Sequence, residues 1–137
     1  LNIFTGGLSL IANIIAMVQG HYYAAGTGLL FGFTYLFVAF SKIRGLSPLP
    51  FAWFSTFVAI NAFVFGTMEG FYGNELLHIT ADWRWAAIWY LWGILWGTAF
   101  VEDILGIKLG KFVPSLQIVE GVITAWIPGV LLLIGQW

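Results

Sequence analysis

Residues 83–101 read WRWAAIWYLWGILWGTAFV, and after Arg84 the run contains no charged side chain. Its length matches the roughly 20 residues an α-helix needs to cross the hydrocarbon core of a bilayer. Closed β-barrels also satisfy their backbone in lipid, but their strands alternate polar and apolar residues over segments of about ten. That alternation is absent here, so the stretch reads as a transmembrane helix. Trp85, Trp89, Trp92 and Trp96 recur at i, i+4, i+7 and i+11, which is one helix face. Trp83 and Trp85 sit near an end, where indoles serve as interfacial anchors. Trp92 and Trp96 lie too deep for that. A mid-bilayer indole needs an acceptor for its N–H, so these rings are expected to face protein, where plain helix packing competes with a site as the explanation.

Working outward, apolar runs of similar length cover about Ile3 to Val18, Ala24 to Phe40, Pro50 to Met68 and Phe112 to Gly135. The composition agrees: 61% of residues are hydrophobic, 19% aromatic and only 8% charged. A water-soluble domain carries about a quarter charged residues, so the solvent of this surface is lipid. The expected fold is all-α, a polytopic transmembrane helical bundle with five spans. A net charge of −1 excludes the broad basic patch that nucleic-acid binding needs. Without cysteine there are no disulfides and no thiolate metal sites. His21 and His78 fall in connections, a poor place for axial haem ligation. With no Walker motif, metal-ligand cluster or nucleophile–base pair, neither an enzyme nor a cofactor is expected.

The connections orient the bundle. Alternating them across the membrane places Lys42, Arg44, Lys108 and Lys111 on one side and leaves Arg84 on the other. Basic residues stay cytoplasmic. The second–third and fourth–fifth connections therefore face inward, and the C-terminus faces out. The stretch from Glu69 to Asp82 is expected as an outward connection that includes His78, and Glu102 and Asp103 as part of an inward one.

Glu120 is the sharpest single signal, because it lies well inside the fifth span between Val119 and Gly121. A charged group at that depth costs about 2.5–3.5 kcal/mol on insertion scales, so it marks a substrate or proton site unless it simply links helices. Pro128 in the same span removes a backbone donor and is expected to loosen the carbonyl near Thr124, as a kink or as an exposed acceptor. Gly28, Phe31, Gly32, Tyr35 and Ala39 form a second-span face that matches the tryptophan stripe. Its Gly28-x-x-x-Gly32 spacing permits close helix approach. Gly32-x-x-Tyr35 and Gly93-x-x-Trp96 are a faint sign of an internal repeat. Asn13 and Asn61 are expected as buried amides, acting as interhelical glue or as partners of a polar solute.

Four strings, Phe31-Gly32-Phe33-Thr34-Tyr35-Leu36, Phe57-Val58-Ala59-Ile60-Asn61, Trp92-Gly93-Ile94-Leu95-Trp96-Gly97-Thr98-Ala99-Phe100 and Ile118-Val119-Glu120-Gly121-Val122-Ile123-Thr124-Ala125-Trp126-Ile127-Pro128, give the chain its resemblance to a known family. Together they resemble the bacterial urea channel and short-chain amide transporter family (AmiS/UreI) across essentially the whole sequence. The resemblance implies a single transmembrane channel domain over residues 1–137 and six spans per protomer. It further implies homohexameric rings in the bacterial inner membrane and passive passage of urea or small amides toward a cytoplasmic urease or amidase. On that pattern one span precedes Leu1. Phe31, Tyr35, Trp85, Trp89, Trp92 and Trp96 carry over as pore-lining aromatics, Leu95 as a constriction residue and Glu120 as the pore carboxylate. The acid-gated branch has long, histidine-rich outward loops. Here the first outward connection is short and each outward connection holds one histidine, which leaves an ungated or amide-associated member equally open.

A proton-coupled transporter that uses Glu120 in alternating access is the competing reading. A membrane scaffold in which the tryptophans only pack is the third.

Overall fold

The five apolar runs are helices in the structure, a computed structural model that describes residues 1–77 and 79–137. His78, expected in an outward connection, lies outside the described residues. Helix α1 is Asn2–Val18, α2 is Tyr22–Arg44 and α3 is Leu49–Thr67, continued by a π-helical turn over Met68–Tyr72. Helix α4, Trp83–Ala99, continues as a π-helical turn over Phe100–Ile104. The last span is composite: α5 over Phe112–Glu120, a π-helical segment over Gly121–Trp126, then α6 over Ile127–Leu133. The stretches Tyr22–Arg44, Leu49–Tyr72 and Phe112–Leu133 are each long and apolar enough to cross a membrane.

Surface and interior are exchanged relative to a water-soluble protein. Phe4, Leu8, Val18, Ile118, Trp126 and Leu133 are exposed, whereas Thr27, Thr34, Ser55, Glu69, Thr98, Glu120 and Thr124 are buried. Large apolar side chains facing out and polar ones facing in is the arrangement lipid selects, since a polar group in hydrocarbon must find an internal partner.

Residues 1–54 and 55–137 form two compact units, with the boundary inside α3. In the first unit α1 and α2 run antiparallel around a short turn in which Gly20 adopts a φ of 86°. Small residues set their separation. A Cβ on Gly6 would meet Leu36 Cγ at 2.7 Å, one on Gly32 would meet Ser9 Oγ at 3.1 Å, and one on Gly28 would overlap Asn13. The Gly28-x-x-x-Gly32 edge of the second span is therefore occupied by α1. Ser9 Oγ donates to the Gly28 carbonyl at 3.3 Å. Helix α2 closes on Gly45, whose left-handed φ of 61° lets the Leu46 N–H reach the Ser41 carbonyl at 3.0 Å.

The second unit packs α4 antiparallel to the C-terminal part of α3. A Cβ on Gly66 would meet Trp89 Cβ at 2.8 Å, and one on Gly70 would overlap Ala86. Thr67 and Tyr90 share a hydroxyl–hydroxyl bond of 2.9 Å across the same contact. Asp82 caps α4 by accepting the Arg84 backbone N–H at 2.9 Å.

Three local expectations change. Glu69, Glu102 and Asp103 belong to the π-helical turns that end α3 and α4, not to open connections. Apolarity fades at a membrane surface before the backbone stops being helical, so hydropathy cuts a helix short. For the same reason α2 runs on to Arg44. Asn13 and Asn61 are only half-buried. Each amide donates to a carbonyl one turn back in its own helix, Asn13 to Ser9 at 2.7 Å and Asn61 to Phe57 at 2.8 Å.

Candidate functional site

The tryptophan stripe of α4 is a contiguous ladder of rings. Trp89, which is buried, meets Trp92 at a centroid distance of 5.6 Å and an interplanar angle of 82°. Trp92 meets Trp96 at 6.4 Å and 60°. The first is an edge-to-face arrangement, favoured because the positive ring edge points at a negative ring face, and the second is a tilted pair. Phe65 from α3 also meets Trp89, at a centroid distance of 5.4 Å and an interplanar angle of 61°. Trp85, the fourth member of the stripe, packs against Trp137 at 5.8 Å and 74°.

A hydrogen-bonded chain joins this ladder to the last span. Trp92 donates its indole N–H to Thr124 Oγ1 at 2.7 Å. Thr124 in turn donates its hydroxyl to the backbone carbonyl of Glu120, also at 2.7 Å. Glu120 is only 2% exposed. Neither of its carboxyl oxygens has a hydrogen-bond partner among the described residues.

The local backbone explains why Thr124 is in reach. Pro128 cannot donate, and its ring presses on the carbonyl four residues back. Immediately ahead of it the helix widens, so that the Ile127 N–H bonds to Val122, five residues back. Short π-helical turns of this kind concentrate at functional sites in helices. Pro128 thus acts through the register of the span that precedes it.

The remaining expected residues stand as follows. Leu95 is half-buried on α4, and its carbonyl accepts the Thr98 hydroxyl at 2.6 Å. Phe31 and Tyr35 sit on α2 in the first unit, half-buried and 39% exposed respectively. The second unit therefore brings Trp89, Trp92 and Trp96 together and ties them to the Glu120 backbone, while Trp85 belongs to a separate cluster at the start of α4. Two contributions have no counterpart among the expectations, the hydroxyl of Thr124, where only a nearby carbonyl was expected to matter, and Trp137. The spacing of Thr124 held a usable sign, since it lies one turn from both Glu120 and Pro128.

At the start of α4, Arg84 Nε donates to Asp82 Oδ2 at 2.8 Å. These side-chain bonds hold the Asp82 carboxyl below the ordinary carboxylate range.

Comparison with known proteins gives one consistent answer. Residues 1–136 match the AmiS/UreI family transporter description. The chain is 44% identical over 164 residues to the acid-activated urea channel of Helicobacter pylori (strain ATCC 700392 / 26695), covering 100% of this chain and 84% of that protein. It is 35% identical over 145 residues to a Mycolicibacterium smegmatis protein named as a candidate transporter of amidate substrates, covering 64% of that protein. Among solved structures, the cryo-EM structure of the H. pylori urea channel in a closed state superposes with a TM-score of 0.88 at 44% identity. That match covers 99% of this chain and 82% of the other.

Proposed function

The chain belongs to the AmiS/UreI transporter family, and from that premise we propose that it is a passive membrane channel for urea and short-chain aliphatic amides. Residues 1–137 form its channel domain. Trp85, Trp89, Trp92, Leu95, Trp96 and Glu120 are assigned to the pore wall, together with Phe31 and Tyr35 from α2. The proposed setting is a homohexamer in the bacterial inner membrane with the C-terminus outside, delivering solute to a cytoplasmic urease or amidase.

The observation that carries this reading is the link from Trp92 through Thr124 to Glu120. It ties flat aromatic surface to the backbone of the residue whose buried carboxyl oxygens have no protein partner among the described residues. Urea and acetamide are planar, neutral and strongly hydrated. A narrow path for them must replace hydration with matched contacts and still let the solute leave. Indole faces accept a planar amide by stacking, and the Glu120 oxygens accept its N–H groups. An ion gains no ring of opposite charge to offset its lost hydration, so it is excluded.

The test is stopped-flow uptake of urea, acetamide and glycerol into proteoliposomes with and without a pH gradient. A channel conducts urea or acetamide in both directions without a gradient. Flux that requires a gradient would support the proton-coupled reading instead, and no flux at all would support a scaffold. Trp96→Ala is expected to change amide flux while the protein still inserts and assembles.

A further inference from the structure

We propose that Thr124 is the positioning residue that sets the channel's selectivity for planar amides, because its hydroxyl takes up the indole N–H of Trp92. The inference rests on the channel reading above and deepens it.

An indole has one hydrogen-bond donor and no acceptor. That donor is committed to Thr124 Oγ1 at 2.7 Å. Whatever passes Trp92 therefore meets its ring surface and not a polar edge. A wall of this kind discriminates by shape. Urea and acetamide can lay a flat face, or point an N–H, against the π system. A polyol such as glycerol has no flat face and is left with hydroxyl groups unmatched. If the N–H were free, it would donate to a polyol hydroxyl as readily as to an amide carbonyl, and discrimination would fall.

Thr124 suits this role because it is fixed from both sides. Its own proton goes to the Glu120 carbonyl at 2.7 Å, so the lone pairs of Oγ1 face the indole. The residue is buried, which removes water as a competing acceptor. Trp92 is also held by ring contacts to Trp89 and Trp96, which limit the angles it can adopt once the hydrogen bond is made. The same bond links the ring to the backbone of the residue that carries the buried carboxyl.

The experiment compares wild type, T124V, T124S and W92F in proteoliposomes, reading the ratio of urea to glycerol permeability. Valine keeps the volume and removes the hydroxyl, whereas serine keeps the hydroxyl. The ratio is expected to fall about three- to tenfold in T124V, the range set by the loss of one buried hydrogen bond, and to stay at the wild-type level in T124S. W92F breaks the same bond from the other side. It is expected to lower the ratio too, with T124V adding nothing further in the W92F background. In ¹⁵N-indole spectra, which carry one resonance for each of the eight tryptophans, the signal lost in W92F is expected to shift in T124V and to return in T124S.

A wild-type ratio in T124V, or full additivity of T124V and W92F, would overturn the assignment while leaving the channel reading intact. Should T124V fail to assemble, a wild-type ratio in W92F would overturn it as well. A wild-type protein that conducts neither solute overturns the channel reading and this inference together.

Discussion

Arg84 lies over the ring of Trp137, with its guanidinium carbon 4.7 Å from the ring centroid. The same side chain is in ion-pair contact with Asp82. Trp85 approaches that indole edge-on from α4. One cation is thus held between a carboxylate and an aromatic face, which joins the first turn of α4 to residue 137. Guanidinium suits the task because it is planar, permanently charged and able to stack while it donates. The deep ladder of Trp89, Trp92 and Trp96 begins one turn further along the helix, so the clamp fixes the end from which the ladder is hung.

The clamp gives a pH dependence with a definite sign. The folded-state pKa of Asp82 is lowered, chiefly by the side-chain hydrogen bonds from Arg84. A lowered carboxylate contributes stability above its unfolded value and loses it as pH falls through the folded one. The first turn of α4 is therefore expected to show amide protection, taken relative to the intrinsic exchange rate at each pH, that is high at neutral pH and falls once the pH drops below the ordinary aspartate range. Asp82→Asn, which keeps a capping side chain but removes the charge, is expected to exchange faster at neutral pH and to lose most of the pH response. Hydrogen exchange read by mass spectrometry checks both. A pH response that persists unchanged in Asp82→Asn would assign it to another group.

Close helix contact supplies a second prediction. A Cβ on Gly70 would overlap Cβ of Ala86, an atom anchored directly to the α4 backbone, whereas a Cβ on Gly28 would overlap the end of the Asn13 side chain. A side-chain end can swing aside, and a Cβ cannot. Gly70→Ala is therefore expected to destabilise by about 1–3 kcal/mol, the usual cost of overpacking, and Gly28→Ala by clearly less. Thermal unfolding of the detergent-solubilised protein measures the difference. Equal losses for the two variants would contradict the packing described for α3 and α4.

Much of this architecture was legible in the sequence, for physical reasons that also mark where legibility ended. Apolar runs located each of the long helices, because lipid imposes its constraint on every residue of a helix at once. The shared face of Trp89, Trp92 and Trp96 followed from helical spacing alone. Gly28 and Gly32 announced a close approach, but spacing cannot say which helix approaches, and the answer is α1. Trp85 fits the stripe by count and yet packs on Trp137, a partner far along the chain. Pro128 drew attention to the carbonyl near Thr124, but the role of the Thr124 hydroxyl was silent, because threonine is unremarkable in an apolar run. Its importance depends on a π-helical register and on a ring from another helix, both tertiary facts.

Glu120 separates stability from function. Its carboxyl is buried, and neither oxygen has a partner among the described residues. Removing a carboxyl from water without matched donors costs free energy, and groups of this kind are often replaced by less polar ones with a gain in stability. Glu120→Gln keeps the shape and one acceptor oxygen while removing the carboxyl. It is expected to lower urea and acetamide flux in proteoliposomes, since the acceptor pair offered to the solute is halved, without lowering stability, since no protein hydrogen bond to the carboxyl is lost. Flux that falls while stability is kept is not what a purely structural role would produce. If Glu120→Gln instead lowers the unfolding temperature and flux together, the carboxyl is a helix-linking group and its place in the pore wall is lost. Glu120→Leu sharpens the comparison, because it removes both acceptors and the buried polar group itself: stability should rise and amide flux should fall below that of the glutamine variant.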